Sequence, residues 1–270
     1  MSGVLKIKID SLALDSLMNL KSLLFFLKAS VKNFQRLLRG KPQKYILFVT
    51  AVEGNTEKRI PIYLLPRNVQ LRIRNSAQGK NIVRINLPQN NTARPFNANI
   101  NFESGSGSVV DFGANIHGNY NLSLYGPNCR FIIGSENHIA QVSAVLIGNT
   151  MRIGNHCTFA GGIQVWGDGH AVIDNTTGKV QNLPSGEISV GNHVWIGAES
   201  VLTKNAGIPD DTIVGIRSIV TKKFTEKHTV IAGSPAKVVK KGISWDIRLP
   251  AECAELESKG VKLNDNPWNE

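Results

Sequence analysis

The chain has 270 residues, 41% of them hydrophobic and 19% charged, a composition that excludes a disordered or fibrous protein and leaves room for one large domain or two ordinary ones. Its formal net charge is +11, and the excess is confined to the first third: residues 1–100 hold 17 Lys and Arg against four acids, residues 101–270 hold 14 against 16. A basic region of this kind serves a partner or steers an anionic substrate, and nucleic acid, anionic lipid and acidic polysaccharide are each compatible with it.

Residues 1–43 form a basic region whose span 11–39 reads as an amphipathic helix. Leu17, Leu20, Leu24, Leu27, Val31, Phe34 and Leu38 alternate spacings of three and four, with Lys21, Lys28, Lys32 and Arg39 on another side. Such a seam can pack on its own domain, zip against the same helix of another subunit, or lie on a membrane surface. The apolar run SLLFFL is short and bracketed by Lys21 and Lys28, so it predicts neither a secretory leader nor a membrane span. The expected location is cytoplasmic, with peripheral contact at the membrane through the basic helix as an option. Cys129, Cys157 and Cys253 fit a reducing compartment, being odd in number and without CxxC spacing.

Residues 44–100 read as short strands, KYILFVTAV, RIPIYLL, VQLRIRN and NIVRINL, separated by Gly, Pro and Asn. They form either a small β cap or the first irregular coils of a longer repeat region. From residue 101 to about 241 the pattern is a repeat of six. Ile147, Ile153, Phe159 and Val165 are six apart, and after an interruption Val190, Ile196, Leu202, Ile208, Val214 and Val220 continue the spacing. Small or medium residues stand two positions earlier, at Cys157, Val194, Ser200, Ala206, Thr212 and Ser218. A unit of six suits one face of a triangular β-solenoid, with the aliphatic residue inward and the smaller one near the corner. Ile116, Leu122, Ile133 and Ile139 are out of phase with the later set and carry less weight. The interruption, residues 166–187, holds the polar loop with His170, and residues 242–270 form a C-terminal tail.

VGNHVWIG (190–197), the loop GDGH (167–170) and AGSPAK (232–237) resemble the hexapeptide-repeat acyltransferases, whose members are left-handed parallel β-helices. The resemblance covers residues 101–241. It implies a homotrimer, acetyl-coenzyme A as donor without a metal, and active sites in clefts between subunits. The Asp-x-His loop, the Pro-containing stretch NLPSGE (182–187) and HVWIG are similar to O-acetyltransferases of bacterial capsular polysaccharides, polysialic acid among them, so the expected acceptor is an acidic capsular glycan.

Acetyl transfer to a sugar hydroxyl needs a base that takes the hydroxyl proton during attack, and an imidazole is suited to it. His170, on a loop leaving the solenoid, is the expected general base. Asp168, or else Asp174, would orient its ring. Trp195 would form a flat wall against the acceptor or the thioester arm, in the family's pattern facing the histidine of a neighbouring subunit; packing against the loop is its other reading. The resemblance places the coenzyme along the C-terminal coils, at Gly197, Ser218, Thr221, Lys222, Lys223, Pro235 and Lys237, although Pro209 after Ile208 and Arg217 depart from the usual pattern. His156 and His193 share one place in their repeats and read as turn residues. Three alternatives remain. A zinc-dependent carbonic anhydrase of the same solenoid lacks its close histidine spacing here. A non-catalytic scaffold would need no histidine-bearing excursion. Acetylation of a small acceptor such as serine, a free sugar or a nucleotide sugar would leave the basic N-terminal third without a role.

Overall fold

The computed structural model describes residues 48–53, 56–61, 69–76, 81–86, 95–182 and 186–263. The expected helix over 11–39 lies outside them, as do residues 183–185 of the Pro-containing stretch.

Stacked parallel strands make three faces. The first carries β1 (Phe48–Glu53), β4 (Ile82–Asn86), β6 (Val109–Phe112), β8 (Arg130–Ile133), β10 (Thr150–Ile153), β13 (Glu187–Val190) and β16 (Gly207–Ile208), with β2 (Thr56–Pro61) antiparallel to β1 at one end. The second is made by the N-terminal ends of β7 (His117–Tyr125) and β9 (His138–Ile147), then β11 (Thr158–Phe159), β14 (Trp195–Ile196), β17 (Ile213–Val214) and β19 (Thr229–Gly233). An antiparallel partner, β20 (Ala236–Lys241), closes it. The third carries β3 (Val69–Asn75), β5 (Phe96–Phe102), the C-terminal parts of β7 and β9, β12 (Ile163–Trp166), β15 (Val201–Thr203) and β18 (Ile219–Val220). A short helix, α1 (Pro250–Ser258), comes after β20 with none of its residues buried.

Inward side chains stack on their own kind from coil to coil. Phe112, Ile133, Ile153, Val190 and Ile208 form one rung series on the first face. Ile139, Phe159, Ile196, Val214 and Ile231 form another on the second face, and Leu122, Ala144, Val165, Leu202 and Val220 a third. All are buried, and each large aliphatic side chain so buried contributes about 1.5–3 kcal/mol. The smaller residues two places earlier are buried at the corners. Ser200 and Ser218 donate their hydroxyls to Gly197 and Gly215 carbonyls, at 2.8 and 2.6 Å, so polarity there is satisfied internally.

Two sequence readings change. Ile133, Ile139 and Leu122 are full members of the rungs. Their phase differs because Ile133 stacks on Ile153, 20 residues on, whereas Val190 stacks on Ile208, 18 residues on. Ile147 is not an inward residue: it pairs with Tyr125 on the outer side of β9, and Leu146 takes the core place. Before residue 101, β4 stacks in parallel on β6, and β3 on β5, which itself runs across that position and stacks on β7.

Candidate functional site

The polar interruption is an excursion from the corner between the third and first faces. It leaves after Trp166 and returns at Glu187. Both roots are glycines on which a side chain would run into an asparagine amide. A Cβ on Gly167 would lie 2.4 Å from Asn149 Oδ1, and one on Gly186, whose φ is 140°, would lie 2.1 Å from Asn205 Oδ1. Beyond its first root the arm doubles back as a small hairpin, with Ile173 bridged to Val180. Asp174 closes its turn by accepting bonds from Thr176 N, Thr177 N and the Thr177 hydroxyl at 2.7–2.9 Å. Val172, Ile173 and Val180 are 58%, 59% and 45% exposed, so the arm shows apolar side chains to its surroundings rather than to its own solenoid.

His170 stands on this arm with its side chain exposed. Its carbonyl accepts a bond from Asn182 Nδ2 at 2.9 Å, which also donates to Asp168 Oδ1 at 3.0 Å, while Asn182 Oδ1 accepts from Val172 N at 2.6 Å. Asp168 Oδ1 accepts from Gly169 N at 2.9 Å, and Asp168 Oδ2 pairs with Lys204 Nζ at 2.8 Å. Burial pushes the Asp168 carboxyl up, but the bonds from Lys204, Gly169 and Asn182 outweigh it and hold the group below the usual carboxylate range. The sequence assigns Asp168 or Asp174 to orienting the imidazole. In the structure neither carboxylate bonds to the ring: Asp174 serves its own turn, and Asp168 ties the arm to the next coil.

Trp195 lies on the second face, opposite the corner from which the arm leaves, and is 43% exposed. Among the described residues no contact joins it to His170. Its neighbour is another indole, Trp245, 6.1 Å away and tilted by 46°. Trp245 comes from the tail after β20 and stacks on the His193 ring at 4.5 Å and 12°, while its Nε1 donates to the His193 carbonyl at 2.8 Å. His193 is 5% exposed, and its Nδ1 is 2.9 Å from Asp211 Oδ1. His156, His193 and Asp211 occupy the same corner with φ of 57°, 53° and 53°, the turn position read from the repeats. Trp245 has no motif around it in the sequence, and no spacing signals its pairing. Cys157 is fully buried, and burial pushes its thiol up to about 12, far from a nucleophile's range.

The expected coenzyme residues divide between two edges. Gly197, Ser218, Pro235 and Lys237 gather at the corner between the second and third faces, where Gly233 N donates to Ser218 Oγ at 3.2 Å. Ser218 is buried there with its hydroxyl committed, so it supports the corner and offers no ligand contact. A Cβ on Gly197 would lie 2.6 Å from Ile216 N, which makes that glycine a stacking requirement between coils. Thr221, Lys222 and Lys223 lie at the edge between the third and first faces, where Lys222 Nζ stands 5.4 Å from the Phe224 ring centroid. Lys223 and Phe224 line an open groove of about 670 Å3 on the first face, with Arg152, Ser189, Gly207 and the edge glycines Gly134, Gly154 and Gly191. Arg152 is paired there with Glu187 at 2.6 Å.

Among the described residues no helix is long and apolar enough to cross a membrane, and no three metal-ligating side chains stand together. No family model matches the chain. It is 37% identical over 64 residues to a chloramphenicol acetyltransferase of Agrobacterium fabrum, covering 24% of this chain and 30% of that one. It is 30% identical over 122 residues to a galactoside O-acetyltransferase of Escherichia coli K12, covering 42% and 58%. The chain thus spans less than two thirds of the length of these relatives. Among solved structures, a polysialic acid O-acetyltransferase superimposes with a TM-score of 0.55 at 22% identity, over 74% of this chain and 93% of that one, a likeness of fold. The six-residue period and the left-handed parallel β-helix are thus shared with proteins that are acetyltransferases of the hexapeptide-repeat kind, and it is to these that the chain is similar.

Proposed function

We propose that the protein is an O-acetyltransferase that moves acetyl from acetyl-coenzyme A to a hydroxyl of an acidic surface polysaccharide, with His170 as general base. The observation that carries this reading is a histidine whose backbone is tied down on a projecting arm while its exposed imidazole bonds to no other described residue. The coenzyme supplies a thioester carbonyl open to attack. His170 takes the acceptor hydroxyl's proton as the oxygen bonds to that carbonyl carbon, and returns a proton to the sulfur as the C–S bond breaks. Such base catalysis is worth about 10²- to 10⁴-fold. Transfer is direct, since the Cys157 thiol is sealed in the core.

The working unit in this reading is a homotrimer. The arm leaves one corner, Trp195 lies on the opposite face, and the arm's exposed Val172, Ile173 and Val180 need a surface to cover them. A neighbouring copy would bring Trp195 against the arm and complete the cleft. Lys222 and Lys223, beside the groove on the first face, are assigned to the coenzyme's phosphates, and Thr221, Pro235 and Lys237 to its outer contacts. The basic first third, which includes the exposed Arg72 and Arg74 of β3, would draw a polyanion from a distance. A cytoplasmic site of action suits the donor.

The test is thiol release from acetyl-coenzyme A with a panel of acidic and neutral capsular polysaccharides and small sugars, for the native protein and His170→Ala. Release that depends on an acidic glycan, weakens with added salt and falls by at least about 100-fold in the variant supports the reading. Unchanged release in His170→Ala removes the histidine from the chemistry. Release only with small neutral acceptors, insensitive to salt, replaces the glycan by a small substrate.

A further inference from the structure

We propose that Lys204 and Asn182 are positioning residues for His170, acting through Asp168, so that the arm is presented by a clamp at its root; the proposal rests on His170 being the base. Lys204 belongs to the coil after the excursion and sits at its edge, just past β15. Its ammonium reaches back to Asp168, and the side chains of the pair are only 16% and 10% exposed. A salt bridge so far withdrawn from water is poorly suited to adding net stability, because both charges give up hydration. What it fixes instead is place: Asp168 cannot move relative to β15 without breaking this withdrawn pair.

From Asp168 the constraint passes to His170 through Asn182. One amide holds Asp168 Oδ1, the His170 carbonyl and the Val172 N–H together, and Gly169 N–H is held by Asp168 as well. The backbone is therefore tied at Gly169, at His170 itself and at Val172. The imidazole receives none of these bonds. That division, a fixed Cα with an unengaged ring, is what a base aimed at a substrate outside its own chain requires, since a displacement of about 1 Å costs a reaction up to about 100-fold.

The experiment compares Lys204→Met, Lys204→Arg, Asn182→Ala and the double variant Asp168→Asn/Lys204→Met in the full chain. Deuterium uptake of residues 168–182 is read beside steady-state acetyl transfer. In Lys204→Met and Asn182→Ala, uptake should rise in the arm and not in the rungs. The kcat should fall about 10- to 100-fold with both KM values within about twofold, the signature of a lost transition-state arrangement. Lys204→Arg should recover most of the rate, and the double variant should be no worse than Lys204→Met alone, because both remove one clamp. An arm as protected in Lys204→Met as in the native protein overturns the proposal. So does a raised KM at unchanged kcat, which would make Lys204 a substrate ligand, and so does uptake that rises throughout the solenoid. If the native protein transfers acetyl to no acceptor while Lys204→Met still loosens the arm, the clamp stands and the general-base reading falls.

Discussion

Replacing Trp245 by alanine should release the tail segment around residues 243–249 while leaving the rungs intact. The magnitude comes from the contacts of the indole. Its stack on the His193 ring at 4.5 Å and 12° is worth about 0.5–1.5 kcal/mol beyond area. Its Nε1 bond to the His193 carbonyl at 2.8 Å is worth about 0.5–1.5 kcal/mol. A loss of about 1–3 kcal/mol corresponds to roughly a 5- to 150-fold more populated open segment. Amide exchange over residues 243–249 reads that directly, with β14, β15 and β17 as internal controls. Trp245→Phe keeps a ring for the stack and lacks the donor, so it should recover about half of the lost protection. On the proposed reading of Trp195 as a wall of the acceptor cleft, acceptor binding should weaken as well, because Trp195 loses the neighbour that stands 6.1 Å away. If the segment exchanges at the same rate in Trp245→Ala as in the native protein, the stack and the bond do not anchor the tail, and both the magnitude and its link to the cleft are refuted.

Leu202→Ala, which empties a rung position between Val165 and Val220, should cost about 2–5 kcal/mol, seen as a lower urea midpoint; Gln164→Ala, on the outer side of the same face, should stay within about 0.5 kcal/mol. Acidification should destabilise the fold. At Asp168 and Asp210 burial raises the carboxyl, but bonds from Lys204 and from Lys227 outweigh it; at Asp174 and Asp246 bonds from Thr177 and Arg248 act first; all four are held below the usual range. A folded pKa below the unfolded one, about 3.9 for Asp, gives stability that is present above the unfolded value and lost as pH falls below it through the lower folded value. His156, lowered chiefly by burial, adds a loss of the same sign as pH falls through the histidine range. Urea midpoints at successively lower pH should decline, and a midpoint that climbs on acidification would contradict the assignment.

The solenoid is legible where its coils are shortest. From Val190 to Val220 each face takes six residues, so the inward positions repeat in the sequence as they do in space. Earlier coils insert residues at the corners, so Ile133 and Ile153 stack at a distance of 20, which no period of six reveals. Ile147 misleads for the same reason. His170 is legible because a polar loop with a lone imidazole interrupts an otherwise apolar rhythm. Its supports are not. Lys204 lies 36 residues beyond Asp168, and Asn182 lies 14 beyond it; the stacking of one coil on the next brings the first to Asp168, and the doubling back of the arm brings the second. Trp245 is 52 residues beyond His193, in a tail with no repeat to give its register.

The placement of the excursion explains why a clamp is needed there. Ile153 to Val190, Phe159 to Ile196 and Val165 to Leu202 are all separations of 37 residues, and the next coil, from Val190 to Ile208, takes 18. The difference of 19 residues is absorbed at one corner without moving any rung, so the arm gains no order from the stack that carries it. Nor does the arm bury its own apolar side chains, since Val172, Ile173 and Val180 face outward. Among the described residues, its own hairpin bonds order its far end, while its two glycine roots and the bonds among Asp168, Asn182 and Lys204 tie it to the solenoid. A rigid solenoid and the arm that carries His170 are separate constructions in this chain. Lys204, whose charged side chain reaches from the coil after the excursion into the arm's root, is the point where the rigidity of the first is passed to the second.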